Sequence, residues 1–361
     1  MASVNAFRDE LRRSIEGEVR FSPGDLALYS TDASNYRRVP VGVVIPRHEE
    51  DVVRAVALAR ENRVAILARG GGTALAGQTT NAALVVDFSK YMNAVVSIDA
   101  ENRLARVQPG LVQAHLNAAA AAHGLFFAPD PATKDRCTLG GMIGNNSCGA
   151  HSAAYGKTVD NLSGLELLLY DGTRLSLGRG EGAITPGDGD RAEGLLARLR
   201  AIADQYGDLV RRRYPKIPRR VSGYNLDQLL PENGFNVARA VVGSEGTLGV
   251  VLNATVHLAP KPSRVGLVVL GFEDVFAAAD QTPWLLRHRP QALEGFDKLL
   301  PDYARQKGMA AVRLLPAGRA FLIMEVGGDT LDEVGAKAEA VRREAEQVRE
   351  CAGVAILLDP G

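Results

Sequence analysis

Apolar residues open the chain at helical spacing: Phe7, Leu11 and Ile15 share one face and predict a helix over residues 4–16. An apolar run at 42–46 reads as a strand. The stripe of Val52, Val53, Val56, Ala57 and Ala59 after it predicts a second helix. Glu49, Glu50 and Asp51 fall in that helix's first turn, where the helix dipole favours negative charge. A strand at 64–68 completes a β-α-β unit and runs straight into Arg69-Gly70-Gly71-Gly72-Thr73. Short strands are expected at Leu84–Asp87, 94–98 and Leu104–Val107, then an alanine-rich helix over 111–123.

The stretch 126–163 loses all periodicity and fills with Gly, Asn, Ser, Thr and Pro; a loop that long in a compact chain usually binds something. Strands follow at 165–170 and 239–242, separated by a basic helical and loop region over 192–220, and a strand pair is expected around 249–258. Pro260 and Pro262 mark a boundary. Beyond it, strand 265–271, helix 274–287 and strand 292–296 form one β-α-β unit, and strand 320–326, helix 331–349 and strand 354–358 form another. Two such halves predict a ferredoxin-like sandwich. Asp359-Pro360-Gly361 is a turn signal with nothing after it, which reads as a cut. No internal repeat and no low-complexity segment interrupts the pattern.

With 361 residues, 46% hydrophobic and 23% charged, the composition is globular and the length suits roughly two domains. Lys+Arg and Asp+Glu are both 42, so a formal net charge of zero removes the electrostatic case for nucleic acid. No run approaches the ~18 apolar residues of a membrane span, and the N-terminus has no signal-peptide core. A soluble intracellular protein is expected. Three cysteines (Cys137, Cys148, Cys351) are too few for an all-cysteine iron–sulfur cluster, and six scattered histidines argue against structural zinc, so no metal is expected.

The 38 glycines carry the chemical signal by their placement. In Ile-Leu-Ala-Arg-Gly-Gly-Gly-Thr (66–73) a strand ends in three glycines, which lets successive backbone N–H groups converge on an anion. The dinucleotide fingerprint G-x-G-x-x-G fails at Leu75. The Walker A spacing fits Gly72 and Gly77, but Gln78 stands where the phosphate lysine must be. A tight surface turn is the plain alternative. His151 with Gly156-Lys157-Thr158 ends like a Walker A motif but lacks the first glycine. The stretch 130–161, with Gly140-Gly141 and Asn145-Asn146, suits a backbone threading along an extended polar ligand, and Gly243-Ser244-Glu245-Gly246 turns into a strand that could close over it.

Together these segments resemble the PCMH-type FAD-binding domain of the vanillyl-alcohol oxidase superfamily. More narrowly, they resemble the branch of D-lactate dehydrogenases, glycolate oxidase flavin subunits and D-2-hydroxyglutarate dehydrogenases. The strings RGGGT-x-L-x-G, P-x-T-x6-GG-x-I-x-N-N-x-x-G, YGKT-x-DN and GSEGTLG stand in family order across most of residues 36–260. The resemblance implies an α+β fold: two α/β subdomains sandwiching FAD over 1–262, then a ferredoxin-like partial substrate or cap domain over 263–361. It implies that Arg69, Gly70, Gly71, Gly72 and Thr73, with Leu75, Ala76 and Gly77, hold the FAD pyrophosphate, Arg69 as the local cation. Pro131, Thr133, Thr138, Gly140, Gly141, Ile143, Asn145, Asn146, Gly149 and Ala150 would line the ribityl chain and isoalloxazine. Tyr155, Gly156 and Val159 would continue that wall, and Glu245, Gly246 and Gly249 would close the other side. Thr73 stands where some relatives carry a flavin-linking histidine, so non-covalent FAD is expected.

The implied activity is oxidation of a small D-2-hydroxy acid, with hydride passing to the flavin and electrons to a non-NAD acceptor such as an iron–sulfur subunit or domain. The implied location is the cytoplasm or the inner face of the membrane. The family's downstream H-x-G-D-G-N-x-H and E-H-G-[IV]-G segments are absent here. His151 and Arg136 remain the catalytic candidates, although a lone histidine in such a loop is more often an ordinary hydrogen-bonding residue. Lys134 and Lys157 read as solvated or phosphate-near; the arginines at 211–213 and 219–220 could recruit an acidic substrate but read first as a solvated helix face, and Cys148 reads as a packing residue. Three rivals stand beside this reading: an FAD-binding fragment that needs a separate partner for catalysis, a phosphate- or nucleotide-sensing module, and an FAD reductase acting on a sugar nucleotide.

Overall fold

The computed structural model describes residues 2–180, 184–186 and 189–358, so the terminal turn at 359–361 lies outside the described residues. In chain order the first elements are α1 (Ala2–Ser14), β1 (Glu18–Arg20), α2 (Pro23–Leu28), β2 (Gly42–Ile45), α3 (Glu49–Glu61), β3 (Ile66–Arg69), β4 (Leu84–Asp87), β5 (Val95–Asp99) and β6 (Leu104–Val107). Then come α4 (Gln113–Ala120), β7 (Leu125–Phe126), α5 (Leu139–Asn145), α6 (Ser152–Tyr155), β8 (Leu162–Leu168), β9 (Arg174–Leu177), β10 (Ile184–Pro186), α7 (Gly189–Arg213), α8 (Val237–Val241) and β11 (Val250–His257). The remainder is β12 (Ala259–Pro260), β13 (Arg264–Phe272), α9 (Val275–Asp280), α10 (Thr282–Arg287), β14 (Ala292–Asp297), α11 (Leu299–Gln306), β15 (Ala320–Gly328), α12 (Leu331–Ala345) and β16 (Cys351–Leu358).

The chain divides into two compact units, Met1–Ser147 with Lys157–Ala259, and Cys148–Gly156 with Pro260–Gly361. The first unit holds a four-stranded sheet in the order β1-β2-β4-β3, parallel between β2, β4 and β3. Its central strands are buried along their whole length, and apolar but for Asp87 at the end of β4, because both faces are covered. On one face, Val44 and Leu84 pack with Phe7 and Leu11 of α1, Ile15 just beyond it, and Ala55, Leu58 and Ala59 of α3, while Val86 packs with Val52, Val56, Leu168, Val250 and Leu252. On the other face, Val43, Ile45 and Val85 pack with Tyr29, Leu67 and Tyr91. The buried stripe of α3 therefore includes Ala55 and Leu58, while Val53 and Ala57 are only half-buried. Asp51 is buried too, accepting from the backbone N–H groups of Glu16 (2.8 Å), Gly17 (3.0 Å) and Arg47 (2.9 Å). It ties the entry of β1 to α3, a stronger role than the dipole effect read from the sequence.

A six-stranded antiparallel sheet, β10-β9-β8-β11-β6-β5, completes this unit. Two sequence expectations are corrected here. Residues 239–242 are not a strand: α8 ends at Val241, and the Asn236 side chain caps it by accepting from the Arg239 N–H at 3.0 Å. A run this short and mostly buried has no periodicity to separate helix from strand, and the cap decided it. The strand pair around 249–258 is one long strand, β11, bulged between Val251 and Asn253 and paired to β8 on one side and β6 on the other.

The second unit is an antiparallel sheet in the order β14-β15-β13-β16. That order is two interleaved β-α-β units, the topology of a ferredoxin-like sandwich. Val268, Leu270, Phe272, Leu322, Met324 and Val326 line the covered face, under Val334, Ala338 and Val341 of α12 and Trp284 and Leu285 of α10. The single helix expected at 274–287 is two, broken at Gln281 just before Pro283. Proline is tolerated in a first turn and not in a helix interior.

Candidate functional site

Strand β3 delivers the chain into the triple-glycine loop at the edge of a cleft of about 340 Å³ in the first unit. The Gly70 backbone passes so close to Thr138 that a Cβ would lie 2.0 Å from its Oγ1, and at Gly71 a Cβ would lie 2.3 Å from the Arg136 carbonyl oxygen. Gly72 has φ +63°, a left-handed conformation that glycine adopts freely. Among the described residues, the N–H groups of Gly70, Gly71, Gly72, Thr73, Ala74 and Leu75 have no protein acceptor. Six successive donors at the edge of one cleft form a ready anion cradle.

The loop is held from beneath. Arg69 donates to the carbonyls of Thr31 and Thr79, both at 3.0 Å, and its guanidinium lies 5.3 Å from the centre of the Tyr29 ring. The Tyr29 hydroxyl donates to buried Asp87 at 2.6 Å. Burial, and then that carboxylate, push the phenol's pKa up, so it stays protonated. Asp32 accepts from the Thr79 hydroxyl at 2.9 Å, and Ala33 N–H donates to the Gly72 carbonyl at 3.0 Å.

The facing wall is α5 and the turn after α8. Thr138 caps α5, accepting from Gly141 N–H at 3.4 Å. The turn at 243–247 is tied to the far end of that helix by Gly243 N–H to the Ile143 carbonyl (2.9 Å) and Glu245 N–H to the Gly144 carbonyl (3.0 Å). Glu245 has φ +52°, rare for a residue with a side chain. Gln78 spans the two walls: its amide accepts from Ala76 N–H and donates to the Glu245 carboxylate, both at 3.2 Å.

Of the residues singled out in the sequence, Arg69, Gly70, Gly71, Gly72, Thr73, Leu75, Pro131, Thr133, Thr138, Gly140, Gly141, Ile143, Asn145, Glu245, Gly246 and Gly249 lie on this cleft. Ala76 and Gly77 sit in the loop's return, with Gly77 against the Tyr36 ring. Val159 is buried in the core, and Asn146 is fully buried, its side-chain oxygen accepting from Val159 N–H at 3.0 Å. Both therefore support the wall from behind. Sequence reasoning did not assign Ala74, Gln78, Met142, Ser147 and Ser244, which stand in or beside the motif strings, nor Thr79, Phe88, Pro109, Val241 and Val251, which lie outside them and are seen on the cleft only in the folded chain. Cys137 also lines it; burial raises its thiol pKa and keeps it protonated.

Gly149, Ala150, His151, Tyr155 and Gly156 belong to the second unit. There His151 Nε2 lies 3.0 Å from Glu325 Oε1 on β15, and the Tyr155 hydroxyl donates to Gln291 beside β14. Arg136 has an exposed side chain outside the cleft lining. Lys157 donates to the Pro218 carbonyl at 3.0 Å and pairs with Asp160 at 3.1 Å, a structural tether. Among the described residues no group of three or more His, Cys, Asp or Glu side chains could hold a metal, and no helix is long and apolar enough to cross a membrane.

Residues 40–178 match the family model described as an FAD binding domain. The chain is 34% identical over 357 residues to a D-2-hydroxyglutarate dehydrogenase of Pseudomonas putida, covering 94% of this chain and 35% of that protein. It is 31% identical over 332 residues to the glycolate oxidase subunit GlcD of Bacillus subtilis, covering 89% of this chain and 59% of that one. The chain thus spans only part of the length of the curated relatives it matches. Among solved structures, an alkyldihydroxyacetonephosphate synthase aligns with a TM-score of 0.70 at 18% identity, covering 99% of this chain and 61% of that one. A substrate-bound p-cresol methylhydroxylase aligns at 0.66 and 16%, covering 99% and 66%. At those identities the likeness shows the fold.

Proposed function

We propose that this chain, whose residues 40–178 are an FAD-binding domain of the PCMH type, is the flavin-bearing part of a dehydrogenase of small D-2-hydroxy acids, such as D-2-hydroxyglutarate, glycolate or D-lactate. The carrying observation is the run of six acceptor-free amides at 70–75 on a glycine-lined cleft. A pyrophosphate brings two negative charges, which backbone donors bind without a counter-charge having to be buried. The glycines fit the same purpose, since they leave open the space that side chains would fill.

In this reading the amides of 70–75 hold the pyrophosphate. Pro131, Thr133, Thr138, Gly140, Gly141, Ile143 and Asn145 line one side of the cofactor, and Glu245, Gly246 and Gly249 the other. No histidine stands at Thr73, so FAD is held without a covalent bond. FAD supplies the acceptor for the hydride leaving the substrate's α-carbon. The apolar lining from Phe88, Met142 and Val251 keeps water from the cleft. The second unit serves as part of the substrate cap, and His151, on its 148–156 segment, is the candidate for taking the hydroxyl proton; Arg136, exposed outside the cleft lining and always charged, has no proton-accepting atom for that step. Electrons pass to a non-NAD acceptor, an iron–sulfur subunit or domain, in the cytoplasm or at the inner face of the membrane.

A second reading, in which the chain binds FAD but turns over only with a separate partner, is supported by the places of the two catalytic candidates: Arg136 stands outside the cleft lining and His151 pairs with Glu325. Absorption of the purified protein between 300 and 550 nm, before and after anaerobic addition of each acid, separates them. Flavin bands bleached by one acid establish the dehydrogenase. Bands that persist favour the partner-dependent reading. No bands after incubation with FAD sink both.

A further inference from the structure

Arg69 is the cation nearest the amide cradle, and charge alone would make it a pyrophosphate ligand. Its geometry assigns another task. The guanidinium is engaged by protein carbonyls: Nη2 donates to the Thr31 carbonyl and Nη1 to the Thr79 carbonyl, each at 3.0 Å. The position a Cβ would take on Gly72 is 2.7 Å from Nη2, so the glycine backbone rests directly on this group. The Tyr29 ring lies alongside, fixed by its hydroxyl on Asp87, whose backbone pairs in register with Arg69 itself. Asp32 grips Thr79 from the same platform, and Ala33 N–H holds the Gly72 carbonyl.

We propose that Arg69 is a positioning residue that staples the 31–33 segment to the exit of the glycine loop at Thr79, and so fixes the direction of the six amides that bind the cofactor's pyrophosphate. The proposal rests on the FAD reading above. A fork of donors reaches two carbonyls at once, which a lysine's single ammonium on a flexible stem does not reproduce. Free glycine amides would otherwise lose directional order, because glycine has the largest conformational freedom of any residue.

The test is FAD titration of the deflavinated protein, followed by quenching of flavin fluorescence at low and high salt, for the parent, Arg69→Lys, Arg69→Gln and Asp32→Asn. A staple predicts that both Arg69 variants raise the dissociation constant about tenfold to hundredfold, and to a similar extent, with the parent's salt dependence retained. Asp32→Asn, which loosens Thr79 without touching any cation, moves the same way. Parent-like affinity in Arg69→Lys with loss only in Arg69→Gln, together with a shallower salt dependence, would show a point-charge phosphate ligand and overturn the proposal. Parent-like affinity in both Arg69 variants would also overturn it. Should the Arg69 variants not fold, Asp32→Asn decides alone: unchanged affinity rejects the staple. A parent protein that takes up no FAD refutes the function proposed above instead.

Discussion

Gly71 sits against the Arg136 carbonyl with no room for a single methyl group, and the neighbour it would strike is backbone, which cannot swing aside. Gly71→Ala should therefore cost about 1–3 kcal/mol in urea denaturation and abolish flavin uptake, because relief requires the floor of the cleft to shift. Gly124→Ala, at a left-handed turn with open space around it, is the contrasting control: it should cost about 1–2 kcal/mol from backbone strain while leaving flavin uptake intact. Far from the cleft, Glu18 is held down to about 2 from its ordinary 4.5 by hydrogen bonds from Lys90, Tyr91 and Arg20. A carboxylate lowered on folding adds stability above its unfolded value and loses it as pH falls through the folded one. The parent's urea midpoint should therefore fall more steeply from pH 4.5 toward 2 than that of Glu18→Gln; parallel profiles would show that the cluster contributes nothing.

Short elements place the cleft walls, and one cap holds a wall in register. Asn236 starts α8, α8 leads into the 243–247 turn, and that turn bonds to the end of α5 through Gly243 and Glu245. Asn236→Ala should cost about 1 kcal/mol of stability and weaken FAD binding as well, read by the same fluorescence titration. Unchanged affinity would mean the turn is held by its bonds to α5 alone. The long elements here were legible in the sequence: α3, β13, β15 and α12 lie within a few residues of where periodicity puts them. The misread ones, α8 and the break between α9 and α10, are too short or too uniformly apolar for periodicity to speak. Their form is set by a side-chain cap and by one proline.

The nine residues Cys148–Gly156 leave the first unit's course and pack with the second, where His151 meets Glu325 and Tyr155 meets Gln291. Glu325→Gln keeps the shape and removes the charge facing the imidazole. It should raise amide hydrogen exchange within 148–156 while leaving the sheet β14-β15-β13-β16 protected, since local openings track local bonds. Equal protection in parent and variant would show that the pair is not what holds the segment. By itself, the sequence determined the α+β class, the order of the strands and helices in each β-α-β unit, and the glycine loop as the candidate anion site, because backbone conformation and amphipathic spacing are local properties. Only the tertiary structure decided that Arg69 faces the Thr31 and Thr79 carbonyls, that Asn146 and Val159 stand behind the wall, and that Phe88, Met142 and Val251 reach the cleft. Those outcomes depend on which segment arrives opposite each side chain, and packing between segments ten or more residues apart leaves no trace in local spacing.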